Sequence, residues 1–244
     1  MRQSPLFSNI QTGEAIYDVE HATYKGICIK TFCLLLITTI VALFTGLYLP
    51  TIIAAGNFNA FYIMLIVASV IGFISAMVGR MSDRKAKYAS VIYSACEGLF
   101  LGALTAICES MFPGVSVIAI FSTLIIFAVM LTLFATGILR VGDKFRKFCF
   151  AFGLGAIALI LVTTISSFFL DYSTYLSVLI FVEFFLLVYG VITLSLNFQE
   201  AQMVVQLGAS KNSEWSVALG LMISIVYIYV EILRLLVLLL ANKD

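Results

Sequence analysis

Residues 31–79 read TFCLLLITTIVALFTGLYLPTIIAAGNFNAFYIMLIVASVIGFISAMVG and lie between Lys30 and Arg80. These 49 residues contain no Asp, Glu, Lys, Arg or His. About 20 helical residues cross the hydrocarbon core of a bilayer, so the stretch is too long for one span and long enough for two. Pro50 through Asn59, with Gly56 and two asparagines, supplies the turn between them. The spans are expected near 28–49 and 58–79. They mark an integral membrane protein, and the rest of the chain continues the pattern.

Composition agrees. The 244 residues are 62% hydrophobic and 11% charged, with a mean hydropathy of +1.12. A soluble domain carries about 25% charged residues. The net charge of +1 leaves no basic footprint for nucleic acid. Cys28, Cys33, Cys96, Cys108 and Cys149 are odd in number, mostly sit in apolar runs and form no CxxC, so they read as small buried hydrophobes. His21 is the single histidine, which leaves too few nitrogen and sulfur ligands for zinc and no His-based triad. Phosphate-binding glycine loops are absent, and each Asp falls in a predicted loop or tail. No enzymatic activity and no cofactor are expected. Residues 1–26 carry no signal-peptide core and read as a cytoplasmic tail, leaving 27–242 as the transmembrane domain.

Five further spans are expected near 88–109, 115–139, 148–170, 175–197 and 215–240. The basic stretches GRMSDRKAKY (79–88) and RVGDKFRK (140–147) read as connectors, with contact to anionic lipid as a second role. Pro113-Gly114 reads as a tight turn and 198–214 as a longer polar connector. All spans are too long and too apolar for the strands of a β-barrel. With the N-terminus in the cytoplasm, twelve of the 14 Lys and Arg fall on the cytoplasmic side. Lys243 alone falls outside, and Arg234 lies within the membrane. That asymmetry fits the positive-inside rule, supports an odd span count and places the C-terminus outside. No internal repeat of the inverted-transporter kind is visible.

Four charged residues fall inside predicted spans: Glu97, Glu183, Glu231 and Arg234. Each costs about 2.5–3.5 kcal/mol at a helix centre, so such groups usually face the bundle interior and pair. Ser90, Ser94, Glu97, Leu101 and Thr105 share one face of span three, and Gly98 and Gly102 permit close helix approach. Glu97 reads either as a path acid or as one hydrogen-bonded glutamate in a packing face. Ser224, Tyr227, Glu231 and Arg234 share a face of span seven, with Glu231 and Arg234 spaced i,i+3 to neutralise each other. That pair reads as a helix lock or as an acid in a pore. Glu183 falls toward the outer boundary of span six, so interfacial placement is favoured for it. Asn197, Gln199 and Glu200 close the other end of that span.

Several segments carry a resemblance. YSACEGLFLGALTAICE (93–109), TGILRVGDKFRKF (136–148), GASKNSEW (208–215) and GLMISIVYIYVEILRLL (220–236) resemble the Bax inhibitor family, in its bacterial, YccA-like branch. SPLFSNIQTGEA (4–15) and TYKGICIKTFCLLL (23–36) resemble it too. The resemblance implies seven transmembrane helices, six around a central seventh, and a calcium-permeable, pH-sensitive leak. It also implies a proton-sharing aspartate pair, one at the end of span six and one in span seven. Carried over, the span-seven acid falls on Glu231. The span-six stretch reads Leu196-Asn197-Phe198-Gln199, with amides in place of the acids.

The resulting expectation is a passive leak for calcium or other cations. Glu97 and Glu231 would line the path, Arg234 would be the counter-charge, and Asn197 and Gln199 would be gate remnants, either of which could still hydrogen-bond Glu231. Glu183, Glu200 and Arg140 are secondary candidates, and calcium is expected near Glu231. The pH response is expected to be altered or absent. One alternative is a non-conducting regulator that binds other membrane proteins. The other is a proton-coupled cation antiporter. A bacterial inner membrane is the expected location, with the lipid bilayer as its surroundings.

Overall fold

The computed structural model describes residues 21–54, 58–136, 142–169 and 171–242. Seven helices fill them: α1 Tyr24–Ala54, α2 Phe58–Met81, α3 Asp83–Met111, α4 Val115–Ala135, α5 Asp143–Ser166, α6 Tyr172–Gln206 and α7 Ser213–Ala241. Each is long and apolar enough to cross a membrane. The protein is an all-α integral membrane protein with seven spans.

Three boundaries differ from the sequence reading. The α3 helix begins at Asp83 and includes Arg84, Lys85 and Lys87, so the first basic connector shrinks to the break at Ser82, whose backbone is extended. Lys and Arg are good helix formers, and Asp83 at the N-terminus suits the helix dipole. Helix α5 likewise starts at Asp143, inside the second connector. Helix α6 runs to Gln206, nine residues past the expected end. Its extension, FQEAQMVVQ, is polar enough to read as a loop yet is built largely of helix formers. The second connector's Arg140 lies outside the described residues, as does the tail before residue 21.

Close packing follows glycine. A Cβ on Gly98 would sit 2.7 Å from the Thr38 carbonyl of α1, and one on Gly102 would collide with the Ala42 carbonyl. The backbones of α1 and α3 therefore approach to van der Waals contact, the small-residue packing on which membrane helices rely. Thr38 Oγ1 adds a hydrogen bond across this seam to the Ser94 carbonyl, 3.1 Å.

Helix α7 forms much of the core. Sixteen of its 29 residues are buried, against nine of 29 in α3. Of its large hydrophobic side chains only Leu239 is exposed, whereas α1 to α6 carry many exposed aromatic and aliphatic groups suited to lipid. It packs against α1, α2, α3, α4 and α6. Helix α5 stands apart and, among the described residues, contacts α6 alone. Phe152 stacks on Phe185 there, with ring centroids 4.1 Å apart. The arrangement is thus five helices against α7, with α5 flanking.

Both ends of the bundle are tied. At one end, which carries Lys30, Arg84, Lys85 and Lys211 and is called here the basic end, Ser213 Oγ donates to Asp83 Oδ2 at 2.8 Å. The segment before α1 clips onto the α6–α7 turn, with Ala22 N–H donating to the Ala209 carbonyl, 2.8 Å. At the far end, the Glu109 carboxylate accepts from the Gly114 and Ser116 N–H groups and from the Ser116 hydroxyl, capping α4.

Candidate functional site

Helices α6 and α7 run antiparallel, so early residues of α6 lie level with late residues of α7. Two polar layers follow along their shared seam, and a third joins the start of α7 to α1.

The layer nearest the far end joins Glu183 of α6 to Glu231 and Arg234 of α7. Arg234 Nη2 lies 2.7 Å from Glu183 Oε1, and Nη1 lies 3.8 Å from Glu231 Oε1. Both carboxylates are buried, 3% exposed each. The Arg234 side chain is 48% exposed. The second oxygen of each acid, Oε2, is buried without a hydrogen-bond partner. The Tyr227 hydroxyl adjoins Glu231 and reaches the Leu186 carbonyl at 3.4 Å. Tyr227 itself lies against Gly190, where a Cβ would come within 2.7 Å of the ring. It also floors a cleft of about 330 Å³ that opens between α5 and α6 beside Gly153 and Tyr189.

The sequence reading placed Glu183 at the membrane boundary and gave Arg234 to Glu231. The structure puts Glu183 inside the bundle and gives it the shorter contact. The cause is tertiary: antiparallel pairing brings α6 level with Arg234, which an i,i+3 count along α7 cannot reveal.

The middle layer surrounds Asn197. Its amide nitrogen donates to the Gly220 carbonyl, 3.0 Å, and to Ser224 Oγ, 2.6 Å. Asn197 therefore does not bond Glu231, which lies seven residues farther along α7, about 10 Å at 1.5 Å per residue. The residue of α7 facing Asn197 is Ser224. A touching pair between the end of span six and span seven corresponds to Asn197 and Ser224, both neutral. Gln199 is half-buried on the same helix.

Arg80 of α2 closes this layer toward the basic end. Its guanidinium forks onto Glu200, 2.7 and 3.1 Å, and donates to the Ser216 carbonyl at 3.0 Å. A Cβ on Gly220 would lie 2.7 Å from Arg80 Nη1 and 2.9 Å from Asn197 Oδ1, so only glycine lets both side chains reach α7 here. Sequence reasoning took Arg80 as a topology signal and missed this contact. Its position at the exact edge of an apolar run was the available clue, because an arginine there can snorkel along its own helix or reach inward.

The third layer was also missed. Glu214, 1% exposed, receives Lys30 Nζ at 2.7 Å and the Thr23 N–H at 2.7 Å. Lys30 also lies over the Trp215 ring, 5.1 Å from its centroid. Glu214 stands in GASKNSEW, but nothing in that segment alone shows burial.

Glu97 stays outside the seam. It is half-buried on α3, with Tyr93 one turn earlier on the same helix, and forms no ion pair among the described residues. Its neighbours on that face do meet α7: Ser94 Oγ lies 3.4 Å from Met222 Sδ and Thr105 Oγ1 lies 2.9 Å from the Tyr229 hydroxyl. No cluster of three or more His, Cys, Asp or Glu suited to a metal exists among the described residues.

Seven apolar spans with charged side chains paired between helices define a polytopic membrane protein. A family model described as Bax inhibitor 1 like matches residues 4–241, so the chain belongs to that family. A comparison with curated proteins gave no match, and one with solved structures gave none.

Proposed function

We propose that this protein is a passive leak for cations, with calcium the leading candidate, and that the path follows the α6–α7 seam. The observation that carries the reading is the buried group of Glu183, Glu231 and Arg234 in an otherwise apolar bundle. Ionisable groups held inside a membrane are costly, and in transport proteins they mark ion pathways. The Asn197–Ser224 contact and the Arg80–Glu200 fork lie on the same seam and form the constriction toward the basic end. Glu97 is a lesser contributor, because it stands off the seam.

The basic end faces the cytoplasm in this reading, and the host membrane is a bacterial inner membrane. Neither Asn197 nor Ser224 titrates near neutrality, and Arg80 and Glu200, the charged groups facing them, already neutralise each other. The leak accordingly responds less to pH than one gated by a pair of carboxylic acids at these two positions.

The test is calcium flux into proteoliposomes holding the purified protein, at mildly acidic and mildly alkaline pH, beside Glu231→Gln. Flux down the calcium gradient alone, lost in the variant, supports the leak. Flux that needs a proton gradient would make the protein an antiporter. No flux above empty liposomes at either pH overturns conduction and leaves a regulator that binds other membrane proteins.

A further inference from the structure

The far-end layer is unevenly matched. Arg234 gives one nitrogen to each acid instead of forking onto either, and the Glu231 contact is long, 3.8 Å. A guanidinium prefers a planar, two-pronged fit to a single carboxylate. Two buried oxygens, Glu183 Oε2 and Glu231 Oε2, are left without a hydrogen-bond partner. A buried acceptor without a partner costs about 1–3 kcal/mol, more for a charged group. With all three groups ionised, two negative charges face one positive charge. Arg234 is also the one member that is half exposed, with a flexible stem and room to move outward.

We infer that Glu183 and Glu231 form a binding site for a divalent cation, and that Arg234 is a tethered counter-cation occupying it until displaced. Outward movement of Arg234 removes its contacts to both Oε1 atoms. All four carboxylate oxygens, including the two that lack partners, then face one ion. Such an all-oxygen set suits a hard cation, and calcium tolerates the irregular geometry of two bidentate carboxylates better than magnesium does. The Tyr227 hydroxyl adjoins Glu231 as a further oxygen, and water completes the shell. With two acids and a built-in competitor the site is weak, as a transit site must be if ions are to leave it. This inference rests on the cation-leak reading for its purpose, but its test does not depend on flux.

The experiment is equilibrium binding of radioactive calcium to purified protein in detergent. Arg234→Gln, which keeps a polar side chain and removes the charge, is expected to bind calcium about tenfold more tightly than the parent, the scale of losing one nearby charge in a half-exposed site. Adding Glu183→Gln or Glu231→Gln to that variant is expected to abolish the gain. Guanidinium ion added to Arg234→Ala is expected to compete with calcium, with little effect on the parent protein. Arg234→Lys keeps the charge as a point and serves if the uncharged variants fail to fold. It is expected to bind more tightly than the parent, because an ammonium cannot span both acids. Unchanged binding in the Arg234 variants, or a gain that survives loss of both glutamates, overturns the proposal. Tightened binding with no flux would keep the site and sink conduction. Flux through Glu231 with unchanged binding would do the reverse.

Discussion

Asn197 donates from one amide nitrogen to two acceptors across the α6–α7 seam, the Gly220 carbonyl and the Ser224 hydroxyl. Interhelical hydrogen bonds in membranes contribute about 0.6 kcal/mol on average and up to about 1.7. Asn197→Ala is expected to destabilise within that range, read as a drop in thermal midpoint of the detergent-solubilised protein, and Ser224→Ala by less. Asn197→Asp keeps the shape and adds a titratable group beside Ser224 and within reach of Arg80. Calcium flux in that variant is expected to depend more steeply on pH than in the parent; identical profiles would show that the position is no sensor. The sequence made the residue types plain: rare charges and amides stand out in apolar helices. Their partners were hidden, because the register of α6 against α7 is set by the turn between Gln206 and Ser213 and by Gly190 and Gly220, not by any spacing within one helix.

The glycines and the salt-bridged clamp matter at the level of helix pairs. Gly98→Val places two methyl groups where Thr38 and Val41 already sit. Overpacking of this kind costs about 1–3 kcal/mol. The variant is expected to loosen α1 from α3, seen as faster proteolysis near the basic end and a lower thermal midpoint. Glu214 and Lys30 tie the starts of α1 and α7 together, and Glu214 is buried by their contact. Removing Lys30 leaves the Glu214 carboxylate with its Thr23 hydrogen bonds alone, a loss of up to about 3 kcal/mol. Lys30→Met is therefore expected to be harsher than the double variant Lys30→Met with Glu214→Gln, and a thermal-unfolding cycle checks the order. The Gly98–Gly102 spacing was readable beforehand as a packing face. The length of α6 was not, because polarity and helix propensity point in opposite directions over residues 198–206, and the propensity prevailed once Phe198 and Ala201 found places in the core.

For the molecule as a whole, chain order and the hydrogen bond between Ser213 and Asp83 put the α2–α3 and α6–α7 turns at one end. Single cysteines at 85 and 211, in a background without the native cysteines, are expected to react with an impermeant maleimide from the same side of sealed vesicles. Labelling from opposite sides would contradict the fold. Seven spans were legible from apolar run lengths alone. The position of α5 was not: it is an apolar helix like its neighbours, yet among the described residues it meets only α6. An apolar helix carries no mark of whether lipid or protein will cover it.

Helix α7 shows lipid almost none of its large side chains. That has a consequence for biogenesis. Six helices are synthesised before it, and five of them form the walls that later hold it. Until α7 leaves the ribosome the faces that contact it stay uncovered, and Glu183 stands without its arginine. The last helix must then pack against five helices already made. A chain stopped before Ser213 would thus lose more than a terminal segment. It would be held at the stage where quality control acts, with Glu183 left without its partner on α7.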